Sequence, residues 1–148
     1  MEDSKKKTTR TSAFLRKLLN SSDIEQFMEH NAGDMEESPF HVYINHLCQA
    51  LGLVPEQVIK RAGIERTYGH QIFNGTRRPS RDKVIQLAFG LQLDFEGTQE
   101  LLRAAQKSLL YPRFKRDAAI IYCLQHKKDV METQSVLQVL DLTLLGDA

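Results

Sequence analysis

Tryptophan is absent from this 148-residue sequence, cysteine occurs twice, and proline four times. The two cysteines, Cys48 and Cys123, each sit in an apolar periodic stretch. They offer no disulfide framework and read as reduced core residues, as expected of a cytoplasmic protein. Few prolines, 41% hydrophobic and 26% charged residues exclude a disordered or collagen-like chain. No uncharged apolar run approaches the roughly 18 residues of a membrane span. The N-terminal stretch MEDSKKKTTRTSAFLRKLL lacks the apolar segment and cleavage site of a secretory signal, so no membrane association is expected.

Enzymatic signatures are missing too. The sequence has no phosphate-cradling Gly-rich loop, no G-x-S-x-G, no H-E-x-x-H and no visible pairing of nucleophile with base, so neither an enzyme nor a cofactor is expected. His46 with Cys48, and Cys123 with His126, could be assembled on paper into a two-Cys, two-His metal set. Residues two apart on a helix point to different faces, however, and no metal is expected.

An excess of charge of one sign is also lacking: 20 basic against 19 acidic residues leave a net charge of +1. The distribution is uneven. Residues 1–38 carry six basic and eight acidic groups, residues 39–80 five basic and two acidic, and residues 81–148 nine of each. The five cations of the middle segment, Lys60, Arg61, Arg66, Arg77 and Arg78, fall within nineteen residues and form a local basic footprint.

What is present is helical periodicity. Residues 1–38 read as an N-terminal arm: a polar stretch, KKKTTRTS, then a short helix with Phe14, Leu15, Leu18 and Leu19 at helical spacing. A second helix follows, capped by Ser22 or Asp23, with Ile24, Phe27 and Met28 on one face. Gly33, a run of acids and Pro39 mark a boundary. From Phe40 onward no stretch of four or more residues alternates as a strand would, so the fold class is all-α. Val42, Ile44, Leu47, Cys48 and Leu51 form an inward stripe ended by Gly52. Pro55 suits the first turn of the next helix, which Gly63 stops. A third helix, Glu65 to Asn74, ends at Gly75 and buries Tyr68 with Ile72 or Phe73. Ser80 then caps RDKVIQLAFGLQL.

Sliding the chain against itself by 35 residues superposes residues 81–110 on residues 116–145 without a gap. Identical pairs include Arg81/Arg116, Asp82/Asp117, Asp94/Asp129, Thr98/Thr133, Gln99/Gln134, Leu102/Leu137 and Leu110/Leu145. Each copy reads as a helix, a corner capped by Asp94 or Asp129, a second helix and a Leu-Leu lock. Asp82 and Asp117 read as first-turn helix charges. Two copies are too few for a solenoid and indicate a duplicated hairpin, the second copy (111–148) packing on the domain at 39–110.

Two short helices joined at a glycine, VPEQVIKRAGIERTYGHQIFNG, have the spacing of a helix-turn-helix. Together with the RRPS turn and the Leu-rich helix after it, this stretch resembles the lambda-repressor-like (Cro-type) DNA-binding family over residues 40–107. The resemblance implies a five-helix domain, with the C-terminal hairpin and N-terminal arm added, that binds double-stranded DNA as a bacterial or phage-type transcription regulator. It also implies roles for particular residues. Glu65, Arg66, Thr67 and His70 match base-reading positions, while Gln57, Asn74, Arg77 and Arg78 match phosphate-binding ones. Where the family usually has Ser or Thr followed by Gln before its second helix, this chain has Val54 and Pro55, and Gln57 stands nearest.

The chemistry suits those roles: arginine bonds bidentately to guanine, threonine meets a thymine methyl, and a carboxylate accepts from cytosine N4. Each residue has a plainer reading beside this one. Glu65 would serve equally as a helix N-terminal charge, Arg77 and Arg78 as solvated loop charges, His70 as a surface histidine, and Tyr68 as core. One short recognition helix touches few base pairs, which calls for a homodimer. Leu137, Leu140, Leu144 and Leu145 are its candidate surface, or else they seal the core. The alternative function is an adaptor that keeps the fold and binds a protein partner instead of DNA.

Overall fold

The computed structural model describes residues 2–35 and 39–146, with side chains from residue 11 onward. Nine α-helices and one 3-10 turn lie among them, with no strand, so the all-α expectation holds. The chain divides into two units, Met1–Glu37 and Ser38–Ala148. Residues 39–110 and 111–148 both lie in the second. No helix among the described residues is long and apolar enough to cross a membrane.

In the first unit, α1 (Glu2–Leu19) runs straight through the stretch read as a polar arm. Nothing in KKKTTRTS breaks a helix, since it holds neither glycine nor proline. Helix α2 (Ile24–Asn31) starts at Asp23, whose Oδ1 accepts from the Gln26 N–H at 3.2 Å. Its inward face differs from the expected one: Phe27 and Asn31 are buried, whereas Ile24 and Met28 are about half exposed. Residues 27 and 31 share one ridge, and 24 and 28 the next. Phe14 meets Phe27 edge to face at 5.4 Å, and Lys17 Nζ donates to Asn31 Oδ1 at 2.7 Å. A 3-10 turn, Ala32–Asp34, follows α2.

The second unit begins with α3 (Phe40–Leu51), α4 (Pro55–Ala62) and α5 (Arg66–Asn74). These helices end at Gly52, Gly63 and Gly75, all at positive φ, as the glycine pattern predicts. Ile44 and Cys48 of α3 are buried, but Leu51, the last residue of the helix, is exposed. Then come α6 (Arg81–Gly90), α7 (Phe95–Ala104), α8 (Lys115–Gln125) and α9 (Val130–Val139). Ser80 caps α6, accepting from the Lys83 N–H, and α6 is buried almost all round, as expected of a helix packed on several neighbours. Both cysteines are free and buried, and burial pushes their thiols up. His46 is exposed and Cys48 buried, on different faces of α3.

The repeat is carried into three dimensions bond by bond. Asp94 caps α7 through the Gly97 N–H, and Asp129 caps α9 through the Glu132 N–H, both at 2.8 Å. Thr98 Oγ1 donates to the Asp94 carbonyl and Thr133 Oγ1 to that of Asp129. The Gln99 amide grips both backbone groups of Leu110, and the Gln134 amide grips those of Leu145. Four residues other than glycine take a left-handed conformation, Gln92, Gln106, Lys127 and Asp141, and they too fall into pairs separated by the repeat length.

Asp82 and Asp117 stand in the first turns of α6 and α8, as expected, but their surroundings are not those of surface charges. They are buried, and each meets the arginine of the other copy. Arg81 donates to both oxygens of Asp117 at 3.2 and 3.0 Å, and Arg116 to both oxygens of Asp82 at 3.0 and 2.8 Å. Each arginine also bonds two carbonyls of its own copy: Ser108 and Leu109 for Arg81, Thr143 and Leu144 for Arg116. Each aspartate takes one backbone N–H as well, from Tyr111 or from Gly146. The contact is reciprocal, copy one holding copy two as copy two holds copy one, which is the geometry of a two-fold interface. A reciprocal contact closes on itself, and this is why the duplication forms a pair rather than the start of an array.

Candidate nucleic-acid interface

Helices α4 and α5 are joined by the turn Gly63–Ile64–Glu65. Val58, Ile59 and Ala62 of α4, Ile64 of the turn, and Ile72 and Phe73 of α5 are buried, so apolar contacts lock the pair from beneath. At Gly69 a Cβ would lie 2.5 Å from Ile59 Cγ2, so glycine is what lets the two helices approach this closely. Asn45 of α3 ties down the far end of α5, its Nδ2 donating to the Phe73 carbonyl at 2.8 Å.

This packing fixes which side of α5 faces outward. Arg66 and Thr67 are exposed and His70 is partly exposed, on the helix's outer side. Gln57, Asn74, Arg77 and Arg78 are also exposed. The eight candidate residues therefore lie on and around one outward-facing helix pair, but several are already engaged within the protein.

Glu65 is the N-cap of α5. One carboxylate oxygen accepts from the Thr67 N–H at 2.9 Å and the other from the Tyr68 N–H at 2.8 Å. Those bonds, Tyr68's first and then Thr67's, hold its carboxyl below the usual range. Arg66 Nε donates to Glu56 Oε1 at 2.8 Å, and His70 Nε2 lies 2.5 Å from Glu56 Oε2. The His70 bond, then the Arg66 bond, lower the Glu56 carboxyl. Asn74 Oδ1 accepts from both the backbone N–H and the hydroxyl of Thr76, shaping the turn after α5. Arg77 Nε donates to Gln71 Oε1 at 2.8 Å, and its guanidinium lies 4.5 Å above the Tyr68 ring. Tyr68 is only half-buried, and Lys83 Nζ approaches the same ring at 5.6 Å.

Two participants were not singled out from the sequence. Glu56 holds two candidate base readers at once, and Lys83 joins Arg77 at the Tyr68 ring. Glu56 precedes Arg66 by ten positions and His70 by fourteen, separations that only the packing of α4 on α5 turns into contact. No sequence period marks it. Among the described residues no group of three or more His, Cys, Asp or Glu side chains is placed to hold a metal.

No family model, no curated protein and no solved structure matches the chain.

Proposed function

We propose that this chain is a sequence-specific DNA-binding transcription regulator, with α3 to α7 arranged in the lambda-repressor-like manner and α5 as the helix that enters the major groove. The observation that carries the reading is the outer side of α5: it is polar, carries Arg66, is backed by buried Ile72 and Phe73, and is followed by a turn bearing Arg77 and Arg78. Arg66, Thr67 and His70 read base edges, and Arg77, Arg78, Gln57 and the amide of Asn74 meet phosphates. Glu65 serves chiefly by capping α5, which keeps the reading residues in register. The Arg66–Glu56 pair is exposed on both sides, with 77% and 55% of the side chains accessible. Such pairs are weak, and a guanine edge can take the guanidinium from the carboxylate.

Two copies on two half-sites supply the specificity that one helix lacks. Leu137 and Leu145 are buried and Leu144 is half-buried, so they seal the core. The dimer contact is assigned instead to the outer side of α9, where Val139 and Leu140 stay exposed.

One observation favours the adaptor reading: Glu56 and Glu65 place two carboxylates at the start of α5, where DNA phosphates would approach. Mutation separates the two readings. Arg66→Ala is expected to weaken binding to the selected duplex by about tenfold or more while leaving random duplexes nearly unchanged. Arg77→Ala with Arg78→Ala should weaken both alike and reduce the salt slope by about two. Equal losses on selected and random DNA for Arg66→Ala would remove it from the reading set. No effect of either variant on any duplex would favour the adaptor.

A further inference from the structure

A cavity of about 620 Å³ lies where the end of α4, the end of α6 and the α8–α9 corner meet. Its size falls in the range of small-molecule sites. The floor is apolar, built from buried Phe89, Leu124 and Val130 with Leu93 beside them, and Met131, 80% exposed, stands at its edge. The rim is cationic. Lys60 and Arg61 come from the last turn of α4, and Lys127 and Lys128 from the α8–α9 corner.

Asp129 is the one acid in the lining, and its carboxylate is turned to cap α9. Lys128 has a loose partner in Glu132, at 3.9 Å and on the surface. Among the described residues Lys60, Arg61 and Lys127 take part in no salt bridge. Four like charges drawn from two distant parts of the chain thus line one opening, with an apolar floor beneath them. An anionic head meets the rim while an apolar body covers the floor.

We propose that this cavity binds a small amphipathic anion, with a medium-length apolar body against Phe89, Leu124 and Val130 and a carboxylate or phosphate head among the four cations. The site also touches the helix pair of the previous section, because Val130 Cγ1 is 3.5 Å from where a Cβ on Gly63 would stand. An occupant therefore rests against the turn that sets the position of α5. The inference does not depend on DNA binding, and its test reads ligand binding alone.

Calorimetry on the full chain, with decanoate and decyl phosphate as probes below their micelle concentrations, tests the site and identifies the preferred head. Decanol and inorganic phosphate serve as controls. At least one of the two amphiphilic anions should bind at one site per chain and shift the Gly63 and Ile64 amide resonances, and both controls should bind at least about tenfold more weakly. Lys127→Glu with Lys128→Glu should lower the anion's affinity by about tenfold or more. Met131→Trp, at an exposed position where folding is not at stake, should obstruct the cavity and weaken binding independently. Absence of saturable binding by either anion, equal binding by decanol, or equal affinity in the wild type and both variants would overturn the proposal.

Discussion

Arg116→Ala is expected to destabilise the Ser38–Ala148 unit by about 3 kcal/mol, read as a fall in the urea midpoint at unchanged slope. The substitution removes both bonds to Asp82 and the two bonds to the Thr143 and Leu144 carbonyls, and it leaves a carboxylate that is only 7% exposed with just the Gly146 N–H. An orphaned buried charge costs more than the lost bonds themselves. Protonation of Asp82 and water entry beside a partly exposed arginine limit the loss. Arg81→Ala should behave alike, because the repeat gives it the same partners in Asp117 and the Ser108 and Leu109 carbonyls. Adding Asp82→Ala to Arg116→Ala should cost well under the sum of the single losses, since the two residues act as one unit.

The pair also predicts an acid response. Burial by itself would raise the Asp82 carboxyl. Hydrogen bonds from Arg116 and the Gly146 N–H, with the charges of Arg116 and Arg81, outweigh burial and hold it below its ordinary value. Asp82 therefore contributes stability above the unfolded-state pKa of about 3.9, and that contribution is lost as pH falls through the lower folded value. Arg116→Ala should flatten this part of the stability-against-pH curve. An Arg116→Ala protein within about 0.5 kcal/mol of wild type at neutral pH would contradict the reciprocal lock.

The second large effect is expected at Gly90, the last residue of α6. A Cβ there would lie 2.5 Å from the Val58 carbonyl oxygen and 3.1 Å from both the backbone nitrogen and the Cβ of Ala62. These neighbours are mostly backbone of α4, which cannot swing aside as a side chain can. Two effects compete in Gly90→Ala. Helix propensity favours alanine by about 1 kcal/mol, whereas overpacking a close helix crossing costs about 1–3 kcal/mol and at times more. The contact is tight enough for the second to win, and a net loss of about 2 kcal/mol is expected. The variant must also move α4 relative to α6, so under the proposed DNA-reading function its affinity for the selected duplex should fall although no candidate contact residue has changed. A rise in stability would show that propensity governs and that α4 and α6 do not cross this closely.

The helices were legible because their punctuation is local. Gly52, Gly63 and Gly75 supply positive φ where helices stop, and Asp23, Ser80, Asp94 and Asp129 supply side-chain oxygens where helices start. The corners at Gln92, Gln106, Lys127 and Asp141 take the same left-handed conformation with no glycine to announce it. The repeat could be read as a duplication, but not as a reciprocal pair. An aspartate in a helix's first turn looks the same whether it faces water or another copy's arginine. Which face of a helix turns inward is less legible, because period alone does not say which ridge a neighbour covers. Ile24, Met28 and Leu51 have the period of buried residues yet stay exposed, whereas Leu137 and Leu145 fill the core. At the candidate interface the cations were visible in the sequence, but the carboxylate of Glu56 that holds Arg66 and His70 was not. Its contacts exist only once α4 lies on α5.

Selection of duplexes from a randomised pool by the purified protein, with the retained sequences read and affinity followed across salt, tests the central claim most directly. A DNA-reading regulator enriches a motif, palindromic if two copies bind together, and its affinity falls steeply with salt by about 0.9 log units per log unit for each phosphate neutralised. No enriched sequence, with negligible binding even at low salt, would contradict it and leave the outer side of α5 as a surface for a protein partner.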